Sequence, residues 1–486
     1  MKNKFIYIVG IALLSSYSCQ KSKLYPIPAT SVSNQGGQPF STVGRIQAQV
    51  LALYANLRSG QLYGGRYQEY NEVKADNWIN NTNNSITDLQ TWNGTTTGTS
   101  GEVQNLWAQC YLAINNANLF IDGMATYGTP VVGAALAANY VGEAKFVRAA
   151  AYYALLQMYC QAYSVNAGAS PGVPLRLTGL SSYGNYSLAP STVAQVYAQV
   201  IADLDAAEAG LPLTGYFVGS TVDAVSNTTR AHRNTAIAFK TRVYLSMQKY
   251  SNVITEANKI VSATAPFTAT TGVPNALQSN ITKVFASPYT TTESILSMPF
   301  TTAETAGTQN QLASYFNNNG PAEYVLNQSS QMFTDPTFTA TDARKGFFSK
   351  LVTAGVTKYS ITKYSLGSPY LDWAPVIRYA EVLLNLAEAR SNVNGAADPQ
   401  AIALLNAVRQ RSDPSTVFAT ATVAQILEER NIEFLGEGLR WADLLRLGLP
   451  IPAKGTVTVI PVGGFGSSYI WPMSGNEQSF NPLIGR

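Results

Sequence analysis

The chain has 486 residues, of which 46% are apolar and only 12% charged, with 32 Lys+Arg against 28 Asp+Glu and a single His. That apolar share excludes wholesale disorder, and the near balance of charge, with no basic block, removes the electrostatic footprint of a nucleic-acid binder. One histidine and three distant cysteines (Cys19, Cys110, Cys160) leave no ligand spacing for a zinc site.

At the N-terminus, Met1-Lys2-Asn3-Lys4 is a basic start and Phe5 to Leu14 an apolar run. Ten residues are about half of what a membrane-crossing helix needs, so residues 1–18 read as a secretory signal. Ser18-Cys19 at its end resembles a bacterial lipobox, which predicts lipidation of Cys19 and attachment to the membrane through lipid. Residues 19–40, with Pro26, Pro28, Gly36, Gly37 and Pro39, read as an extended tether.

From Thr42 a helical pattern runs through Ile46, Val50, Leu53, Tyr54 and Leu57. Val193, Val196, Tyr197, Val200, Ile201, Leu204 and Ala207 lie on one face at helical spacing, with Ser191 as N-cap and Gly210-Leu211-Pro212 as the stop. Similar patterns occupy about Glu102–Met124, Leu136–Tyr159, Asn234–Gln248, Ser251–Ser262, Pro375–Ser391, Pro399–Arg411 and Thr422–Leu435. Several are joined in twos by short links. The fold class is therefore mainly α: a tetratricopeptide-like superhelix of αα-hairpins with long irregular loops and few short strands. Cys110 and Cys160 fall on apolar-patterned helices and read as buried thiols. His232, beside Arg230 and Arg233, reads as a solvated residue at a helix start.

Two long polar stretches interrupt the helices. Tyr67–Gly101 holds seven Asn in 35 residues, and Phe267–Gly367 is rich in Thr, Asn and aromatics. Loops of that length inside a folded chain are usually functional or disordered, and the aromatics argue against disorder.

Five separated segments resemble the SusD/RagB family of Bacteroidota outer-membrane nutrient-binding lipoproteins. They are Gly142-Glu143-Ala144-Lys145-Phe146-Val147-Arg148-Ala149 with Tyr152-Tyr153, Gly172-Val173-Pro174-Leu175, and Val196-Tyr197 through Asp203-Leu204 to Leu211-Pro212. Ile377-Arg378-Tyr379-Ala380-Glu381-Val382-Leu383-Leu384 with Ala387-Glu388-Ala389 is the fourth. The fifth runs from Ile426 through Glu429-Arg430, Glu433-Phe434, Glu437-Gly438 and Arg440-Trp441 to Asp443-Leu444-Leu445-Arg446, about ten fixed positions in 21 residues.

The resemblance implies a non-enzymatic surface lipoprotein of the outer membrane, facing the cell exterior. Such a protein would capture an oligosaccharide and deliver it to a TonB-dependent (SusC-like) transporter, with no cofactor, metal or catalytic residue. A sugar ring needs aromatic platforms for its C–H face and amides for its hydroxyls. Trp78, Asn80, Asn81 and Trp92 in the first loop, and Tyr289, Tyr315, Asn317 and Tyr324 in the second, are the carbohydrate-binding candidates. Arg378, Glu381, Arg430, Glu433, Arg440 and Asp443 read instead as structural ion pairs at i,i+3 and i,i+4 spacings. The domain reading is a signal (1–18), a lipidated tether (19–40) and one SusD-like domain (41–486). That domain divides into a helical part (41–266) carrying the polar loop 67–101, a ligand-loop insertion (267–370) and a C-terminal helical part (371–486). Two alternatives stand beside this: a peptide receptor of the same family, and an exported glycoside hydrolase using carboxylates among Asp76, Asp88, Glu293 and Glu323.

Overall fold

The structure is a computed structural model that describes residues 35–182, 184–318, 322–464 and 466–485. The signal sequence, Cys19 and tether residues 19–34 lie outside the described residues. Gln35–Phe40, expected as extended tether, forms a 3-10 helix. Its buried Phe40 packs on Phe120, ring centroids 5.8 Å apart.

Helices α1 (Val43–Leu57), α2 (Arg66–Lys74), α3 (Gly101–Gly123), α4 (Ala134–Tyr159), α5 (Val193–Gly210), α6 (Arg233–Ser246) and α7 (Tyr250–Ala257) build the first part of the chain. Helices α8 (Tyr379–Asn394), α9 (Pro399–Ser412), α10 (Val423–Glu433) and α11 (Arg440–Leu447) build the last. About 49% of the described residues are helical and 9% are in strands or bridges. Successive helices pack as hairpins: α3 on α4, α4 on α5, α5 on α6, α6 on α7, and α8 on α9. The amphipathic stripe of α5 explains its seat, because Val193, Val196, Tyr197, Val200 and Leu204 are all buried. Each such side chain contributes roughly 1.5–3 kcal/mol.

Thr192, not Ser191, caps that helix. Thr192 Oγ1 accepts from the Gln195 backbone N–H at 3.2 Å, and Gln195 Oε1 accepts from the Thr192 N–H at 2.8 Å. Thr422 and Gln425 repeat this reciprocal capping box at α10. Cys110 and Cys160 are both buried. His232 does stand at a helix start, but it is fully buried.

Among the described residues eight short strands form four antiparallel pairs. β1 (Trp78–Asn80) pairs with β5 (Tyr324–Leu326), and β2 (Phe217–Val218) with β3 (Thr221–Val222). β4 (Ser294–Met298) pairs with β8 (Ala374–Arg378), and β6 (Phe348–Thr353) with β7 (Val356–Ile361). The helix expected from Pro375 thus begins at Tyr379. The residues before it are a fully buried strand, fixed by pairing with β4.

The charged motif residues are buried and paired mainly between elements, not along single helices as their spacing suggested. Arg242 meets Glu381 at 2.6 Å, Arg430 meets Asp443 at 2.9 Å, Arg446 meets Glu388 at 2.5 Å, and Arg440 meets Asp76 at 2.9 Å. Arg446 with Asp443 is an i,i+3 pair. Around Arg378 lies a continuous network of five cations (Arg344, Lys363, Arg378, Arg409, Arg411) and five carboxylates (Glu293, Asp342, Glu429, Glu433, Glu437). Equal numbers of each sign make burial tolerable, since an unmatched buried charge is what costs most.

Candidate functional site

Pairing of β1 with β5 brings the two polar stretches of the sequence together, with Trp78 opposite Leu326 and Asn80 opposite Tyr324. The aromatics expected to bind sugar, however, point inward. Trp78 is fully buried; its indole N–H donates to Glu72 at 2.8 Å and its ring lies 4.2 Å from Phe316. The Trp92 indole N–H donates to the Trp78 carbonyl at 2.8 Å. Tyr315 and Tyr324 are stacked on each other at 5.9 Å and 5°, both fully buried, and the Tyr324 hydroxyl donates to the Thr87 carbonyl at 2.6 Å. Asn317 is buried and donates to the Tyr364 carbonyl. These rings and this amide hold the loops together, and none offers a face to a ligand. Tyr289 is only 8% exposed and stacks at 5.4 Å on Trp373, which is half-buried.

Asn80 and Asn81 are half-buried at the rim. Asn80 Oδ1 accepts from the Asn83 N–H at 2.7 Å, and Asn81 Nδ2 donates to the Ala322 carbonyl at 3.0 Å. Glu323 closes the same loop from below, accepting from Thr82, from Thr87 at 2.9 Å and from Asn84 at 3.3 Å.

Partly exposed rings gather instead one layer further out, on the β6–β7 hairpin. The hairpin closes on Ala354-Gly355, with φ of 51° and 79°. Two successive left-handed residues match the tight turn that suits the twist of paired strands. Side chains then alternate between faces. Ser349 and Lys358 face the polar loop, where Lys358 Nζ donates to Asn81 Oδ1 at 2.6 Å and Ser349 Oγ accepts from Asn318 Nδ2 at 2.9 Å. Phe348 and Tyr359 face the other way and meet Phe333, carried by a short helix (Gln331–Thr334) that Ser330 caps.

Phe333 and Phe348 are nearly parallel at 6.0 Å and 8°, and Tyr359 leans on both, at 5.6 Å and 6.3 Å. With Lys345 they line a hollow of about 260 Å³. All four are half-buried. No motif marks these residues. The signal that could have found them is the alternation Phe348-Ser349-Lys350-Leu351-Val352-Thr353 and Val356-Thr357-Lys358-Tyr359-Ser360-Ile361 around Ala-Gly.

Two larger cavities flank α1. One of about 490 Å³ is lined by Phe40, Asn56, Asn116, Asp122 and the exposed Tyr127, and one of about 540 Å³ by Leu51, Arg58, Arg230 and Glu304. The first also has three rings in its lining, Phe40, Phe120 and Tyr127, but Phe40 and Phe120 are buried; the second has one, the buried Tyr54.

The carboxylates considered for hydrolysis are engaged. Asp76 binds Arg440, Glu293 binds Arg378 and Arg411, and Glu323 holds its loop. Asp88 meets Arg66 at 2.7 Å; burial pushes its pKa up to about 7 against the pull of that guanidinium. Among the described residues no group of three or more His, Cys, Asp or Glu is placed to hold a metal ion. Burial pushes the His232 imidazole down to about 3. Its ring proton resonance, unique in this chain, is expected to stay flat from about pH 8 to about pH 4. A midpoint near 6.5 in an NMR titration would show that the ring is solvated instead.

Comparison with known proteins bears on the whole chain. The family model described as "SusD family" matches residues 290–481, and that described as "Starch-binding associating with outer membrane" matches residues 39–245. A SusD superfamily protein from Bacteroides fragilis, known from its crystal structure, is 30% identical; the alignment covers 92% of this chain and 100% of that one, with a TM-score of 0.79. The chain belongs to the SusD/RagB family of Bacteroidota outer-membrane proteins.

SusD-like protein P38 of Formosa agariphila is 24% identical over 535 residues, covering 99% of this chain and 97% of its own. Surface glycan-binding protein A of Bacteroides thetaiotaomicron, solved in complex with laminarihexaose, shares the fold at 17% identity, 90% and 98% coverage and a TM-score of 0.68. The SusD/RagB motifs quoted above are now seen as framework: Arg148 of the first binds Asp203 of the third at 2.6 Å, tying α4 to α5. Among the described residues no helix is long and apolar enough to cross a membrane.

Proposed function

We propose that this protein binds oligosaccharides in the hollow formed by Phe333, Phe348 and Tyr359. The reading includes lipidation at Cys19, display on the outside of the cell, and delivery of the glycan to a TonB-dependent barrel. The observation that carries it is the gathering of three partly exposed rings in one hollow. Such rings serve the C–H face of a sugar. Family membership supports the same reading, as do the matching family model's description, which names starch binding, and the relative solved with laminarihexaose. Engagement of Asp76, Asp88, Glu293 and Glu323 in structural contacts favours a binder over a hydrolase.

Calorimetry of the mature chain against a panel of soluble oligosaccharides tests this. Saturable binding to at least one of them, with no reducing ends released, is expected. Absence of binding across the panel, with binding to peptides instead, would overturn it.

A further inference from the structure

The hollow is not electrically neutral. Between Asp342 and Asp372 the chain holds Arg344, Lys345, Lys350, Lys358 and Lys363 and no carboxylate, although the whole protein has 32 cations against 28 acids. Arg344 and Lys363 are spent in the buried network, on Asp342, Glu429, Glu433 and Glu437. The other three are disposed around the hairpin. Lys345 lines the hollow itself, its ammonium held 4.7 Å over the Phe338 ring. Lys350 is exposed on the β6–β7 face that carries Tyr359, being that residue's cross-strand partner. Lys358 stands on the opposite face, on Asn81. Among the described residues none of the three forms an ion pair. A cation parked over a ring and left without a carboxylate, at the mouth of an aromatic hollow, has its electrostatic partner still to come.

We infer that the hollow selects acidic sugars: oligosaccharides bearing a carboxylate or a sulfate on the unit that lies against Phe333, Phe348 and Tyr359. The ring face would stack on the aromatics, and the anionic substituent would meet the Lys345 ammonium, with Lys350 adding longer-range attraction. Charge-assisted hydrogen bonds of this kind are the stronger ones. The site is half-open, so salt screens it over about 10 Å at 0.1 M. This inference rests on the oligosaccharide reading and narrows it to one chemical class.

The test uses matched pairs on the full mature chain. The first pair is an oligogalacturonate and the same oligosaccharide with its carboxylates reduced to alcohols; the second is a sulfated galactan fragment and its desulfated form. At low salt, at least one acidic member is expected to bind about tenfold more tightly than its neutral twin. That gap should close on adding salt, vanish in Lys345→Gln and persist in Lys345→Arg. Loss in Lys345→Gln with retention in Lys345→Arg separates charge recognition from damage to the hollow. Equal binding of both members of each pair, insensitive to salt and to Lys345→Gln, overturns the acidic class and leaves the oligosaccharide reading standing. No binding by any member, together with none across the neutral panel, overturns both.

Discussion

Replacing Arg378 by methionine is expected to lower the unfolding free energy by about 3–5 kcal/mol. Its guanidinium donates to Glu437 Oε2 at 2.7 Å, Glu437 Oε1 at 2.9 Å and Glu433 Oε1 at 3.0 Å, and it also meets Glu293. All of these groups are buried. Without Arg378, five carboxylates would face four cations in a region that water does not reach. Methionine fills the volume but neutralises nothing.

The sign of the pH dependence follows. Against the cost of burial, Arg411, Arg378 and Arg344 hold the Glu433 carboxyl well below the usual carboxylate range, and Arg378 with Lys363 lowers Glu437. Groups whose folded-state pKa is depressed stabilise the fold above their unfolded value, about 4.3, and lose that contribution as pH falls through the folded value. The gap between wild type and Arg378→Met should therefore be widest near neutrality and shrink in acid. Denaturant unfolding at about pH 7 and about pH 3.5 checks it. A gap that does not change with pH would mean that the loss is one of packing alone.

The same network shows what the sequence could and could not say. Glu429-Arg430 and Glu433 recur at helical spacing, so their helix was legible. Their partners were not, because Arg344, Arg409 and Arg411 come from distant segments that only the fold brings in. Pro375-Val376-Ile377 reads as part of an apolar helix until the strand Ser294–Met298 claims it. Periodicity alone does not separate a short buried strand from a buried helix.

The loops posed the harder case. Trp78 with Asn80 and Asn81 has the composition of a sugar platform, and equally that of a buried layer in which an indole N–H must find a carboxylate. Exposure decides between the two, and exposure here is set by β1 pairing with β5, which lies far along the chain (Trp78 opposite Leu326). Within the region 267–370 the phenols at 315 and 324 turn inward, while Tyr359, two strands later, is half-exposed.

Truncating Tyr359 to alanine is expected to weaken oligosaccharide binding by about thirtyfold, or about 2 kcal/mol, the scale of an aromatic hot spot. The half-exposed ring leaves little cavity behind, so the melting temperature should barely move. Trp78→Ala supplies the opposite pattern. Its fully buried ring should cost about 3–5 kcal/mol of stability while the molecules that still fold bind normally. If the two variants exchange behaviour, the ligand lies against the inner layer.

Hydroxyl-radical footprinting of the mature chain, with and without a saturating oligosaccharide, tests the central claim most directly. The account predicts protection confined to Phe333, Phe348 and Tyr359, with Tyr127 and Trp373 oxidised as before. Protection of Tyr127 or Trp373 with the hairpin rings unchanged would contradict it.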